Sequence, residues 1–386
     1  MVRLGDVASF IRGVTFKPAD VEEPSDSNVD CMRTKNVQSE LDRRDVWAVP
    51  KTTVKRPDQF LREGDLLVSS ANSWNLVGKA CWIPELERPT TFGGFVSVLR
   101  PENVDARYLF RWFSSDIVQA TMRSFGNQTT NISNLDLRRA SNLLLPLPPL
   151  DEQRRIAAIL EKADELRTKR REALAHLDTL TRSIFHSMFG DPVTNPEKWP
   201  LAPLSSLGIL DRGVSKHRPR NDPRLLGGRY PLVQTGDVAG AGAYLTRFSS
   251  TYSDLGLGQS RLWPRGTLCI TIAANIAKTA ILKIEACFPD SVVGFTADPA
   301  TTEYVRVWLS FLQATLEARA PESAQKNINL AILRTLPVPV PPIELQQTFA
   351  TRVAAVERLK EMHRKHLAEL DALFASLQHR AFKGEL

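Results

Sequence analysis

Apolar side chains recur at a spacing of seven in two long stretches of the chain. Ile156, Ala163, Leu177 and Ile184 fall on one column, and Ile159, Leu166, Ala173 and Leu180 on a second, with charged residues between them. This is the seam pattern of a coiled coil. Adding 193 to the first column gives Phe349, Val356, Leu370 and Leu377, with Leu359 and Leu373 opposite. The first seam is interrupted at Arg170 and Ser187, the second at Arg352, His363, His366 and Arg380. Each strip predicts a helix of about 38 residues, roughly 57 Å long. Elsewhere the pattern is shorter. Asp65–Ser70 and Gly94–Leu99 read as strands, and Tyr108–Arg123 as a helix carrying Leu109, Trp112, Phe113, Val118 and Met122 on one face. Further on, strands are predicted near 267–273, 279–284 and 291–296, followed by a helix over about 302–318.

The two halves repeat one plan. A double proline precedes each long helix, Pro148-Pro149 and Pro341-Pro342, and each pair is followed by acids at Asp151 and Glu152 or at Glu344. Proline fixes φ and removes an amide donor, so the chain stiffens before turning into helix. Asp151 is the expected N-cap, with acidic charge at the positive end of each helix dipole. Other landmarks recur in order: Arg12–Val14 at Arg212–Val214, Gly78-Lys79 at Ala277-Lys278, Tyr108 and Trp112 at Tyr304 and Trp308, and Asn131-Ile132 at Asn327-Ile328. A repeat this long implies a duplicated domain rather than a solenoid unit. The expected fold is α+β, with two similar mixed α/β globular domains at 1–150 and 191–343. Helices at 151–190 and 344–386 separate them. Each helix alone would expose an apolar strip, so the two are expected to bury each other as an antiparallel intramolecular coiled coil with pseudo-twofold symmetry. Arg170 and His363 then lie near the axis.

Composition narrows the class. With 386 residues, 42% hydrophobic and 24% charged, the chain can bury two cores. A net charge of +7 favours a polyanionic partner. Cys31, Cys81, Cys269 and Cys287 lack CxxC spacing, so no metal site or disulfide framework is expected. The absence of a signal-like or membrane-spanning stretch leads to the expectation of a cytoplasmic protein that does not enter membranes.

Catalytic patterns are missing. Gly78-Lys79 is followed by Ala80, not Ser or Thr, and lacks the upstream glycine of a phosphate loop. The five histidines at 176, 186, 363, 366 and 379 lie on the long helices, and His217 in a basic loop. Neither a cofactor nor a catalytic role is expected. Polar, loop-like runs are the candidates for contact with nucleic acid. In the first domain these are Arg33, Lys35 and Asn36, then Asn72, Ser73, Asn75 and Lys79, and then Gln128, Thr129 and Asn131. In the second they are the basic run Arg212, Lys216, His217, Arg218 and Arg220, then Gln234 and Thr235 as counterparts of the Lys35–Asn36 region, Asn275 and Lys278, and Lys326 and Asn327. Amides and hydroxyls can read base edges, and basic side chains suit phosphates. The competing account makes the 69–79 run a solvated turn with Trp74 packed inward, the basic run a solvated loop, and the runs at 126–133 and 325–329 Asn-rich helix caps.

Leu147–Gln153, which spells Leu-Pro-Pro-x-x-Glu-Gln, together with the closing segment Ser376–Leu386, resembles the specificity subunit of type I restriction-modification systems. The second spacer departs from the signature, with Leu345 where a glutamate would sit. The resemblance spans essentially the whole chain. It implies that the two globular segments are target-recognition domains and the helices spacers, and that the subunit itself is non-catalytic. It further implies recognition of a bipartite asymmetric target in double-stranded DNA, one half per domain. The implied partners are two adenine methyltransferase subunits and, in a restriction complex, translocating nuclease subunits. The other functional class is a coiled-coil scaffold whose duplicated heads bind proteins without DNA specificity.

Overall fold

The computed structural model describes residues 1–129, 132–273, 276–319 and 328–386, with side chains for all of these except 127–129 and 314–319. The chain forms two compact units, Met1–Lys169 with Leu367–Leu386, and Arg170–His366. Each unit therefore contains part of both long helices.

In the first unit a four-stranded antiparallel sheet runs in the order Ala8–Arg12, Val96–Pro101, Leu66–Ser69, Ala80–Trp82. Leu66 pairs with Leu99 on one side and Trp82 on the other, and all four residues of its strand are buried. A central strand covered on both faces reads as a continuous apolar run, which is why Leu66-Leu67-Val68 does not alternate. A smaller sheet places Asn28–Met32 between Trp47–Pro50 and Thr90–Phe92. The sequence predicts one helix over Tyr108–Arg123, but there are two, Ala106–Phe113 and Asp116–Ser124. The break falls at Ser114-Ser115, where Ser115 is extended at φ −69°, ψ 146°.

The second unit repeats the arrangement. Its main sheet runs Ile209–Arg212, Val292–Thr296, Leu268–Thr271, Thr279–Leu282, Tyr244–Leu245, with the first four strands in the order of their counterparts. The smaller sheet again sets a strand, Leu226–Leu232, between an antiparallel neighbour, Ser250–Tyr252, and a parallel one, Ala286–Cys287. Here the domain helix is single, Pro299–Arg319.

The long helices are Leu150–Phe189 and Ile343–Lys383. The first begins one residue before the expected cap. The Pro149 carbonyl accepts the amides of Glu152 and Gln153 at 2.9 and 3.0 Å, so Asp151 lies inside the first turn and pairs with Arg154. Gln153 then ties the turn together: its Nε2 donates to the Pro148 carbonyl at 2.8 Å and its Oε1 accepts the Asp105 amide at 2.8 Å. Gln346 repeats the first of these bonds, to the Pro341 carbonyl at 2.9 Å. Tyr108 and Tyr304 brace the same turns, donating to the carbonyls of Pro146 and Pro339.

Within each unit the two long helices run antiparallel. In the first, Arg167 meets Asp371 at 2.6 Å and lies 4.2 Å over the Phe374 ring, while Phe382 packs edge-on against Tyr108. In the second, Arg170 meets His363 at 2.9 Å, Lys360 meets Asp178 at 3.1 Å, and Phe185 packs edge-on against Phe349. Arg170 and His363 are equivalent positions, 193 apart.

The seam corrects the sequence reading in one respect. Ile156 and Ala163 are buried as expected, but Leu166, Leu180, Leu359 and Leu373 are exposed by 39–49%. The true partner column holds Leu160, Arg167, Leu174 and Thr181 in the first helix, and Val353, Lys360, Leu367 and Phe374 in the second. Its central cations are held by acids of the opposite helix, so the more polar column is the buried one. Lys360 has only 8% of its side chain exposed and binds Glu357 and Asp178.

Both ends of the helix pair complete a globular core. In the first unit Ile156, Ala157, Leu160 and Ala381 join Tyr108, Trp112, Phe113 and Met122. In the second, Phe185, Phe189, Phe349 and Val353 join Tyr304 and Trp308. Burial of each leucine, isoleucine, valine, phenylalanine or methionine among them contributes about 1.5–3 kcal/mol.

Candidate nucleic-acid interface

In the first unit, three of the polar runs lie on neighbouring loops. The Arg33 guanidinium sits 3.7 Å from the centre of the Trp47 ring and donates to the Asp45 carboxylate at 2.9 Å. Lys35 donates to the other Asp45 oxygen at 2.5 Å, and this bond is the main reason that the carboxyl is held below its usual range. Asn36, by contrast, is only 1% exposed. Its Nδ2 donates to the carbonyls of Asp42 and Asp45, and its Oδ1 accepts the Arg33 amide. It builds the turn rather than facing a ligand, which corrects its expected contact role.

Gln38 links that turn to the second run, donating to the Lys35 carbonyl and accepting from Lys79, both at 2.8 Å. Asn72 bridges Ser69 and Ser73 through its side chain, and the Ser73 hydroxyl donates to Asn75. The short strand Ala71–Asn72 pairs with Ser133 and Asn134, extending the hairpin of Gly126–Thr129 and Ile132–Leu135. The third run is thereby brought beside the second. For Gln128 and Thr129 the structure describes the backbone alone, and Asn131 lies outside the described residues.

Two aromatic residues stand on this loop face. Trp74 is 54% exposed rather than packed inward, and Phe95 is 64% exposed. The Phe95 carbonyl accepts the amides of Ser70 and Ala71, which fixes it against the Asn72 loop. Sequence reasoning missed Gln38, Trp47 and Phe95. The signal for Phe95 was present, since a large apolar residue directly after Gly93-Gly94 falls on a turn rather than in a core.

In the second unit the basic run forms one connected cluster. Arg212 donates to the Asp290 carbonyl, Arg220 to the Asp290 carboxylate, and Arg218 approaches that carboxylate at 3.5 Å. Arg218 is further fixed by the carbonyls of Ser215 and His217. The amides of Lys216 and His217 both donate to Gln259 Oε1. His217 Nε2 lies 3.0 Å from Asp222, which takes Arg224 in a two-pronged bond. That bond holds the Asp222 carboxyl well below its usual range.

Gln234 opens the helix Thr235–Gly240, its amide donating to Asp237 at 2.8 Å. The same bond runs from the Arg33 amide to Asn36, so Gln234 corresponds to Arg33 and Thr235 to Thr34, a shift from the expected alignment. Lys278 follows Ala277, whose φ of +57° matches the +83° of Gly78. Both turns close alike: Gly78 donates to the Ser69 carbonyl and Ala277 to that of Thr271, each at 2.8 Å. Among the described residues, no hydrogen bond or ion pair ties Gln234 or Thr235 to the arginine cluster. Asn275, Lys326 and Asn327 lie outside the described residues.

The described residues contain no group of three or more His, Cys, Asp or Glu that could hold a metal ion, and no helix long and apolar enough to cross a membrane. All four cysteines are free and buried, and burial pushes the Cys31 and Cys81 thiols up to about 12, away from the reactive thiolate.

The duplicated α+β unit thus presents amides, hydroxyls and guanidinium groups on loops, and each copy carries part of both long antiparallel helices. The family model for the type I restriction modification DNA specificity domain matches residues 1–176 and again 196–372, and the chain belongs to that family. Among curated relatives, it is 24% identical to the EcoKI specificity subunit of Escherichia coli strain K12, over 98% of this chain and 87% of that one. It is 21% identical to a putative MjaX specificity subunit of Methanocaldococcus jannaschii, over 84% and 78%. The fold matches the crystal structure of a type I restriction-modification S subunit from M. genitalium at a TM-score of 0.61 and 13% identity, over 99% of this chain and 95% of that one. A chain from a structure concerned with complex assembly of the type I system matches at 0.58 and 18% identity, over 100% and 97%.

Proposed function

We propose that this specificity subunit reads a bipartite, asymmetric sequence in double-stranded DNA, one half-site per unit, and carries adenine methyltransferase subunits to it. It performs no chemistry itself. The observation that carries this reading is the double occurrence of one loop-bearing fold with different side chains on its loops. The first unit offers Asn72, Ser73 and Asn75 beside Trp74 and Phe95. The second offers Arg212, Lys216, Arg218 and Arg220. Two heads of the same build but different chemistry suit two different half-sites, and an unbroken helix of 40 residues, about 60 Å, suits a spacer between them. Half-sites one duplex turn apart need about 34–36 Å. A restriction complex would add translocating nuclease subunits to the same assembly.

Salt dependence tests the reading against a protein-binding scaffold. Binding of a split duplex should weaken steeply between 50 and 200 mM salt, with a log–log slope that falls by about 0.9 for each phosphate contact removed. Arg220→Ala should reduce that slope. Salt-independent binding, or binding indifferent to sequence, would favour the scaffold.

A further inference from the structure

We propose that Asp45 and Asp290 are positioning residues that discriminate target from non-target DNA, by holding the cations of each reading surface in place and shielding them from phosphates out of register. This rests on the DNA-reading role proposed above. It concerns two acids that belong to neither set of contact candidates.

The geometry recurs at two unrelated places in the fold. Asp45, in the first unit, accepts from Arg33 at 2.9 Å and from Lys35 at 2.5 Å, and its carbonyl takes a second bond from Arg33 at 3.1 Å. Arg33 is thereby clamped between the carboxylate and the face of Trp47. Asp290, in the second unit, gathers Arg212 on its carbonyl and Arg218 and Arg220 on its carboxylate. Asp45 stands just before the strand Trp47–Pro50, and Asp290 just before Val292–Thr296, so the two acids come from non-equivalent loops. Neither is buried away from solvent: their side chains keep 47% and 29% exposure, enough to present negative charge to an approaching duplex.

Two effects follow. Binding to arbitrary DNA is almost wholly a matter of phosphate charge, so a carboxylate set among the cations weakens it at every sequence. In-register binding depends on where the guanidinium groups point, and a clamped arginine loses less freedom on binding. Arginine carries five N–H donors. Arg212 uses Nε on the Asp290 carbonyl and Arg220 uses Nη2 on the carboxylate, so donors remain for DNA while the clamp holds.

The test uses the full chain assembled with its methyltransferase subunits, and compares Kd for its mapped target duplex with Kd for an unrelated duplex of equal length. Asp290→Asn and Asp45→Asn should each tighten binding to the unrelated duplex, with a gain about three- to fourfold larger at 50 mM than at 200 mM salt, the effect of one further phosphate contact. Binding to the target should not tighten with it, so the ratio of the two affinities falls. Glu165→Gln removes the same charge from the exposed face of the first long helix and should leave the ratio unchanged. Thermal melting of each variant checks folding, and the conservative size of Asn keeps the loops filled. If both duplexes gain equally, or the ratio is unmoved in both variants, the positioning role is refuted while DNA reading stands. If the unsubstituted protein shows no preference between the duplexes, both fall together.

Discussion

At the scale of single residues, equivalent positions in the two units solve one backbone problem with different side chains. Gly78 occupies the left-handed region at φ +83°, and a Cβ there would meet the Met122 Cβ at 2.8 Å. Ala277 holds the same turn at +57°. Gly78→Ala should therefore cost about 2–3 kcal/mol, through backbone strain and overpacking together. Ala277→Gly relieves strain but loses a buried methyl, and should stay within about 1 kcal/mol. Chemical denaturation of the two variants makes the comparison. The paired glutamines offer a second contrast. Gln153→Ala removes two hydrogen bonds and leaves the Asp105 amide without its partner, about 2–3 kcal/mol. Gln346 makes one of these bonds while its Oε1 is buried without a partner among the described residues, so Gln346→Ala should cost about 1 kcal/mol less. These details were only partly legible in the sequence. The duplication pointed to the shared turns but left the Gln234–Thr235 register two residues off, and Asn36, expected to face outward, bonds its own loop. Short amide side chains often bond their own loop instead.

At the scale of elements, the long helices were plain from periodicity, and so were the central strands near Leu66 and Leu268. The seam was harder. Leucines at 166, 180, 359 and 373 suggested the second column, whereas the helices bury the column with Arg167 and Lys360, because acids on the opposite helix satisfy those cations. Sequence spacing of this kind reveals an apolar column but not which polar one is neutralised across the interface. Lys360→Met should destabilise the second unit by about 3 kcal/mol, since it leaves Glu357 buried without its cation. Adding Glu357→Leu should recover most of that loss. The exposed face responds to acid. Lys162 and Lys169 hold Glu165 at about 2 against an ordinary 4.5. A lowered carboxyl pKa stabilises the folded state above the unfolded value and loses that contribution as pH falls through the folded one. Circular dichroism should accordingly show the helices weakening from about pH 4.5 down toward 2.

At the scale of the whole molecule, a long-helix segment completes each core, from the far end of the sequence in the first unit and from the helix just before the domain in the second. Phe374, Leu377, Ala381 and Phe382 pack against the core of the first unit, and Phe185 and Phe189 enter that of the second. Deleting residues 374–386 should lower the melting temperature of the first unit while leaving the core of the second intact, resolved as two transitions by calorimetry. Duplication made this plan readable from the chain alone, because matching landmarks supplied the domain count and the helix pairing together. The bases read by each loop were not readable, since they depend on how the loops meet a duplex. Insertion of one residue after Lys169 turns the following helix by about 100° and should abolish specific binding rather than retune it. The central claim, two heads reading two half-sites, is tested most directly by mapping methylated adenines in DNA from cells that make this chain with its methyltransferase subunit. One motif of two specified blocks separated by a fixed unspecified gap is the predicted result. A single contiguous motif, or methylation without any motif, would contradict it.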